Sequence, residues 1–241
     1  MKKFVMAAGI AVALSACGSS EKKTDSAEVG NPFFTEYTTP FGVPPFDQIK
    51  LEHYKPAFLK GMEEQVKEIE QIVTQTNEAD FENTIAALDQ SGALYRKVAI
   101  VFSGQNSANT SDEMQAISRE LSPLQSKHRD DISLNPALFA RVKAVYDKRD
   151  ALGLDKEQAK LLEETYKSFV RGGANLNETD QAKLRELNSE IAMLQLTFGQ
   201  NMLKETNDFK LVVENEADLA GLPESLVTSS ASDGKWIFTL H

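Results

Sequence analysis

Residues 177–205 read NETDQAKLRELNSEIAMLQLTFGQNMLKE, with apolar side chains at Leu184, Leu187, Ile191, Leu194, Phe198 and Met202. Steps of three and four residues place all six on one face of a helix of period 3.6. The stretch predicts one long helix from about Asn177 to Glu205. It sets the class of the fold, because the same period governs most of the chain upstream.

Moving toward the N-terminus, Leu59, Met62, Val66, Ile69 and Val73 form another such stripe, with Glu and Lys between them. Pro56 suits the first turn of that helix, where its missing N–H costs nothing. A second stripe uses Phe81, Ile85, Leu88, Gly92, Tyr95, Val98 and Phe102, and a third Met114, Ile117, Leu121 and Leu124. Thr110 with Glu113 three residues on has the arrangement of a capping box. Asn135-Pro136 reads as an N-cap followed by proline at the first helical position, and that helix ends near Gly153. Asp155 with Gln158 opens the next helix, which stops at Gly172-Gly173.

Downstream the period changes to two. Phe209, Leu211 and Val213, and then Trp236, Phe238 and Leu240, alternate as strands require. Between them Gly221, Pro223 and a Ser-rich stretch predict a loop with a helical turn. The class expected is mainly α, with a short two-strand element near the C-terminal end. The last strand has no following turn or cap, so the chain is expected to be cut in mid-element at His241.

The N-terminal end carries a different message. Met1-Lys2-Lys3 precedes an apolar run, Phe4 to Leu14, and then Ser15-Ala16-Cys17. A charged start, a short apolar run and small residues before a cut site make a secretory signal over 1–16. The run falls short of the roughly 20 residues that span a bilayer. Leu14-Ser15-Ala16-Cys17 resembles the bacterial lipobox, which implies acylation of Cys17 and a protein held to an envelope membrane, on its periplasmic or outer-membrane face. Cys17 is the one cysteine of the 241 residues, so an intramolecular disulfide is excluded. Residues 17–30 are polar and lack aromatics, as a tether does. Residues 31–46 combine Pro32, Pro40, Pro44 and Pro45 with Phe33, Phe34, Phe41 and Phe46. They predict an extended strap lying across a helical region of 47–241.

Losing Lys2 and Lys3 with the signal moves the formal charge from −10 to −12. Proteins that neutralise phosphates concentrate positive charge, so no nucleic-acid partner is expected.

The residues for chemistry are few. A zinc site of the His-Glu-x-x-His kind needs two histidines one helical turn apart with Glu as general base. His53 and His128 each lack a second histidine four residues on, and His241 is terminal. No metal ligand and no catalytic residue is therefore assigned. His128, on the stripe of Leu124, reads as a hydrogen-bonded boundary histidine, and His53 as a cap or a solvent-facing group. Arg171-Gly172-Gly173-Ala174-Asn175 lacks the Gly-Lys-Ser/Thr ending of a phosphate loop and reads as a helix terminator. Glu63-Glu64 and Glu163-Glu164 read as solvated helix faces.

Taken in order, several segments resemble bacterial peptidyl-dipeptidases of the thimet-oligopeptidase family. They include Asn31-Pro32-Phe33-Phe34, Pro40-Phe41-Gly42-Val43-Pro44-Pro45-Phe46-Asp47 and Ile49 through Phe58. Phe81-Glu82-Asn83-Thr84-Ile85, Leu134-Asn135-Pro136, Phe169 through Leu176, Phe198-Gly199-Gln200-Asn201, Leu219 through Pro223 and Gly234-Lys235-Trp236 continue the series. The resemblance implies the N-terminal lobe of a two-lobed helical zinc metallopeptidase, with a deep channel between the lobes. It implies short peptide substrates cut into dipeptides from the free C-terminus, and zinc in the full-length parent, bound beyond this segment. This part would form a wall of the channel, would bind no zinc itself and would be inactive alone. Its apolar helix faces that meet the missing part are expected to be exposed. The alternatives are a stand-alone lipid-anchored helical protein that binds peptides or a partner without catalysis, and a structural helical spacer.

Overall fold

The computed structural model describes residues 30–240. The signal segment, Cys17 and His241 lie outside the described residues. The chain is mainly helical: α1 (Leu51–Thr74), a π-helical turn at Phe81–Ala86 running into α2 (Ala87–Gln90), α3 (Ala93–Ala108), α4 (Asp112–Ser133), α5 (Pro136–Asp147), α6 (Lys156–Arg171) and α7 (Glu178–Asp208). A small C-terminal unit follows, built from β1 (Leu211–Val213), α8 (Glu224–Ser230), β2 (Ala231–Ser232) and β3 (Lys235–Phe238). Its strands run antiparallel in the order β1-β3-β2, with Leu211 opposite Phe238 and Val213 opposite Trp236. The sheet has three strands where two were expected. Asp233 and Gly234, both at positive φ, make the tight turn that folds β2 onto β3.

Local chemistry explains most helix ends. Asn135 accepts from the Leu138 N–H at 3.0 Å, and Asn177 from the Asp180 N–H at 3.0 Å. Asp155 and Gln158 exchange bonds as a capping box. α4 begins one residue later than expected, because Ser111 rather than Thr110 accepts from the Met114 N–H. α6 ends where Gly172 closes the helix and Gly173 takes φ +95°, letting the Ala174 N–H reach the Phe169 carbonyl at 3.0 Å.

Further helix expectations fail: the helix opened by Pro136 ends at Asp147, and a separate 3-10 turn, Arg149–Ala151, leads to Gly153 at φ +64°. α1 starts at Leu51, so Pro56 lies inside the helix, where it removes one backbone hydrogen bond. The single helix expected over 81–102 is broken at Gly92. That residue is left-handed at φ +73°, and its N–H is held by the Glu68 carboxylate at 2.6 Å.

Two apolar cores lie along α1. One gathers Phe33, Tyr54, Phe58, Met62, Val98, Phe102 and Leu121 from the strap, α1, α3 and α4. The other gathers Ile69, Ile72, Phe81, Ile85, Leu138, Val142, Leu162 and Phe169 from the far end of α1, the π-turn, α5 and α6. The buried row of α1 is thus Tyr54, Phe58, Met62, Ile69 and Ile72, while Leu59 and Val66 face solvent. The strap forms two 3-10 turns, Pro32–Phe34 and Pro40–Gly42, and buries Phe33 alone of its four phenylalanines. Phe41 is fully exposed, at φ +60°. Lys97 of α3 anchors the strap. Its ammonium donates to the carbonyls of Phe33 (3.0 Å) and Thr35 (2.6 Å) and lies 3.9 Å from the centre of the Tyr37 ring.

Candidate functional site

His53 and His128 serve structure. His53 Nδ1 accepts the Lys50 N–H at 3.1 Å and so covers a donor at the start of α1. His128 is buried on α4 with its ring against Tyr95, and its Nε2 lies 2.7 Å from Gln65 Oε1. Gln65 in turn donates to Ser91 Oγ at 3.2 Å, which ties α1 and α4 to the segment just before α3. Burial holds the His128 imidazole below its ordinary pKa, with Asp131 opposing that shift and Lys127 reinforcing it.

The acidic pairs are engaged on the surface. Glu63 pairs with Lys67 at 2.5 Å, and Glu164 with Lys160 at 2.7 Å. Glu163 pairs with Lys167. Among the described residues no group of three or more His, Cys, Asp or Glu could hold a metal ion. No described helix is long and apolar enough to cross a membrane.

What stands out instead is how α7 sits. Its α4-facing side carries half-buried Ala192, Leu196 and Leu203 together with three side-chain hydrogen bonds to α4. Arg185 Nη1 donates to Asp131 Oδ1 at 2.9 Å, and Asn188 Nδ2 donates to the buried Asp130 Oδ1 at 2.9 Å. Arg119 Nη1 donates to Gln200 Oε1 at 3.0 Å farther along. Lys127 also pairs with Asp131, so that carboxylate is shared between two cations. An open groove of about 820 Å³ runs between the two helices over Pro123, Leu124, Lys127, Arg185 and Met193. Asp131 is held by its two cations and Asp130 by the Asn188 amide, and Glu186 and Glu190 line the same groove.

The opposite side of α7 is apolar and uncovered. At about 100° per residue, Leu187, Ile191, Leu194, Phe198 and Met202 lie roughly half a turn from Arg185 and Gln200. Their exposure runs from 49% at Ile191 to 71% at Phe198, and no residue of α7 is buried. After Phe169, Leu219 is the one buried large hydrophobic among the described residues. The apolar surface without cover is therefore concentrated in residues 187–240. The stripe was legible in the sequence. The polar clamp on its far side was not, since its partners lie 54, 58 and 81 residues apart.

Comparison with known proteins explains the ordered segments. No family model matches the chain. Dipeptidyl carboxypeptidase of Escherichia coli (strain K12) is 41% identical over 217 residues, covering 87% of this chain and 32% of that protein. The Salmonella typhimurium dipeptidyl carboxypeptidase is 41% identical over 83% of the chain and 30% of its own length. Oligopeptidase A of Haemophilus influenzae is 29% identical over 78% of the chain and 28% of its own length. The chain spans about a third of the length of the curated relatives it matches. On identity at this level over most of its residues, the chain belongs to the peptidase family of dipeptidyl carboxypeptidase and oligopeptidase A.

Proposed function

We propose that this chain is the non-catalytic part of a zinc peptidase that removes dipeptides from the C-terminal end of short peptides, and that it builds one wall of the substrate channel. The observation that carries this reading is the 41% identity to a dipeptidyl carboxypeptidase over 87% of the chain. The described residues support it from the other side, since their histidines and acidic pairs are engaged in structural bonds. In this reading zinc and its ligands belong to the part of a full-length protein that the chain does not include. Substrates are short peptides, and nucleic acid is not a partner. Cys17, acylated, holds the protein to a membrane of the cell envelope.

The test is a chimera in which this chain replaces the matching stretch of the Escherichia coli enzyme. Dipeptide release from an N-blocked tetrapeptide is expected, and is expected to stop when zinc is chelated. The chain alone should release no dipeptide and retain no stoichiometric zinc. A folded chimera without activity would remove the reading.

A further inference from the structure

Among the described residues only Phe41 and Asp233 take a positive φ without being glycine. Aspartate tolerates that conformation, whereas for a bulky side chain it is strained. Phe41 holds φ +60° and ψ +16°, and its ring is fully exposed. Gly42 follows at φ +66°, its N–H donating to the Thr39 carbonyl at 3.0 Å, and the Thr39 hydroxyl donates to the Val43 carbonyl. Pro40 before the turn and Pro44-Pro45 behind it restrict the backbone further, with Pro45 buried. The strain thus holds a phenyl ring out in water, where the fold draws no packing from it. Strain of that kind points to a role outside the fold. Val43 and Phe46 beside the ring are also exposed, and residues 38–46 carry no charge.

The anchor decides what this turn meets. Thirteen residues separate Cys17 from Gly30. At full stretch they reach about 45 Å, no farther than the roughly 46 Å that the 31-residue α7 is long. Asn31 is buried and Phe33 sits in the first core, so the body is fastened to its leading segment right after Gly30. An acylated Cys17 therefore keeps the strap beside a bilayer at all times, and even a weak contact there is populated. The chain as a whole is acidic, at −10, and is repelled by anionic headgroups, while the turn is uncharged between Glu36 and Asp47. We infer that the Pro40–Val43 turn is a membrane-contact loop, which seats the Phe41 ring at the headgroup–acyl boundary of neutral lipids and so orients the anchored body. The inference rests on the acylation of Cys17 in the proposed function. A turn already fixed by prolines loses little conformational freedom on contact. One ring is too small to anchor a protein alone and serves as a second signal beside the acyl chains.

Fluorescence quenching by lipid tests this. The chain is produced with its signal segment in cells that acylate it, and is reconstituted into phosphatidylcholine vesicles. Acylation takes up the thiol of Cys17, the one cysteine of the chain, so Phe41→Cys and Asp150→Cys each present a single thiol for a fluorophore. Asp150 is the control, exposed in the 3-10 turn after α5. Lipid spin-labelled near the headgroup is expected to quench residue 41 by about half or more and residue 150 hardly at all, since only a group at the headgroup–acyl boundary lies within its range. A Val43→Cys reporter should be quenched likewise, and adding Phe41→Ser should remove most of that quenching while leaving both cores untouched. Vesicle flotation reads the anchor separately. A chain that floats with residue 41 quenched no more than residue 150 would overturn the contact and leave the anchor standing. A chain that does not float would overturn the anchor and the contact with it. The measurement is repeated in the acylated chimera with the Escherichia coli enzyme, freed of its other cysteines. Loss of quenching there would assign the turn to the rest of the peptidase and also overturn the inference.

Discussion

Replacing Gly61 by alanine should loosen the body of the molecule. Gly61 is buried in α1, where that helix crosses α3. A Cβ built there would lie 2.7 Å from Tyr95 N, 2.8 Å from Tyr95 Cα and 3.2 Å from the Leu94 carbonyl carbon. These are backbone atoms, so no side chain can swing aside. Restoring ordinary contact at 3.4 Å or more requires the helices to part by roughly 0.7 Å, a gap that forfeits a quarter to a half of each dispersion contact across it. Those contacts join Phe58 and Met62 of α1 to Val98 and Phe102 of α3. Overfilling a well-filled site costs about 1–3 kcal/mol. Here the upper end applies, because the contact is with backbone. Alanine returns about 1 kcal/mol of helix propensity, which leaves a net loss of about 2 kcal/mol. Gly104→Ala in α3 is the control, since no atom lies within 4 Å of its would-be Cβ. It should stabilise by up to about 1 kcal/mol. Urea denaturation at constant slope reads both changes as opposite shifts of the midpoint. A Gly61→Ala midpoint that rises alongside that of Gly104→Ala would refute the reasoning.

Three further expectations can be checked with simple variants. Leu138→Ala, at a fully buried position of the second core, should cost about 2–5 kcal/mol in urea denaturation, and a loss under 1 kcal/mol would contradict the burial. His128 has its pKa depressed in the folded state by burial, so the unfolded chain binds the proton first. Stability should fall as pH drops through the unfolded value of about 6.5 toward the folded one. His128→Gln should flatten that slope between pH 7.5 and 5.5, and an unaltered slope would show that another group carries it. Cys17→Ser should abolish incorporation of labelled fatty acid and release the protein from the membrane fraction, and undiminished labelling would rule out Cys17 as the acylated residue.

How far the sequence could be read depended on the range of the interactions involved. Caps at Asn135 and Asp155 were legible because a short polar side chain bonds its own backbone two or three residues on. Thr110 and Ser111 are adjacent hydroxyls, and only the geometry selects the second. Pro56 drew the start of α1 too far downstream, because proline favours a first turn while tolerating an interior site. Leu59 and Val66 extended the α1 stripe over a second apolar row, and the aromatic row of Tyr54 and Phe58 took the buried side. The break at Gly92 depends on Glu68, 24 residues away. The turn at Asp233-Gly234 carried a local signal strong enough to find the extra strand. The uncovered face of α7 was readable as a stripe, but its outward direction is set by Asp130 and Asp131 on another helix.

The Lys97 anchor gives the N-terminal segment a defined mechanical path. The chain from Gly30 to Thr35 is secured by Phe33 in the first core and by one ammonium that holds two carbonyls, with Asn31 Nδ2 donating to the His53 carbonyl at 2.9 Å beside them. A pull exerted through residues upstream of Gly30 is therefore delivered to α3 and to the first turn of α1. It loads a clasp of short-range contacts on α3 and at the start of α1. The second core, at the far end of α1, takes no part in that clasp.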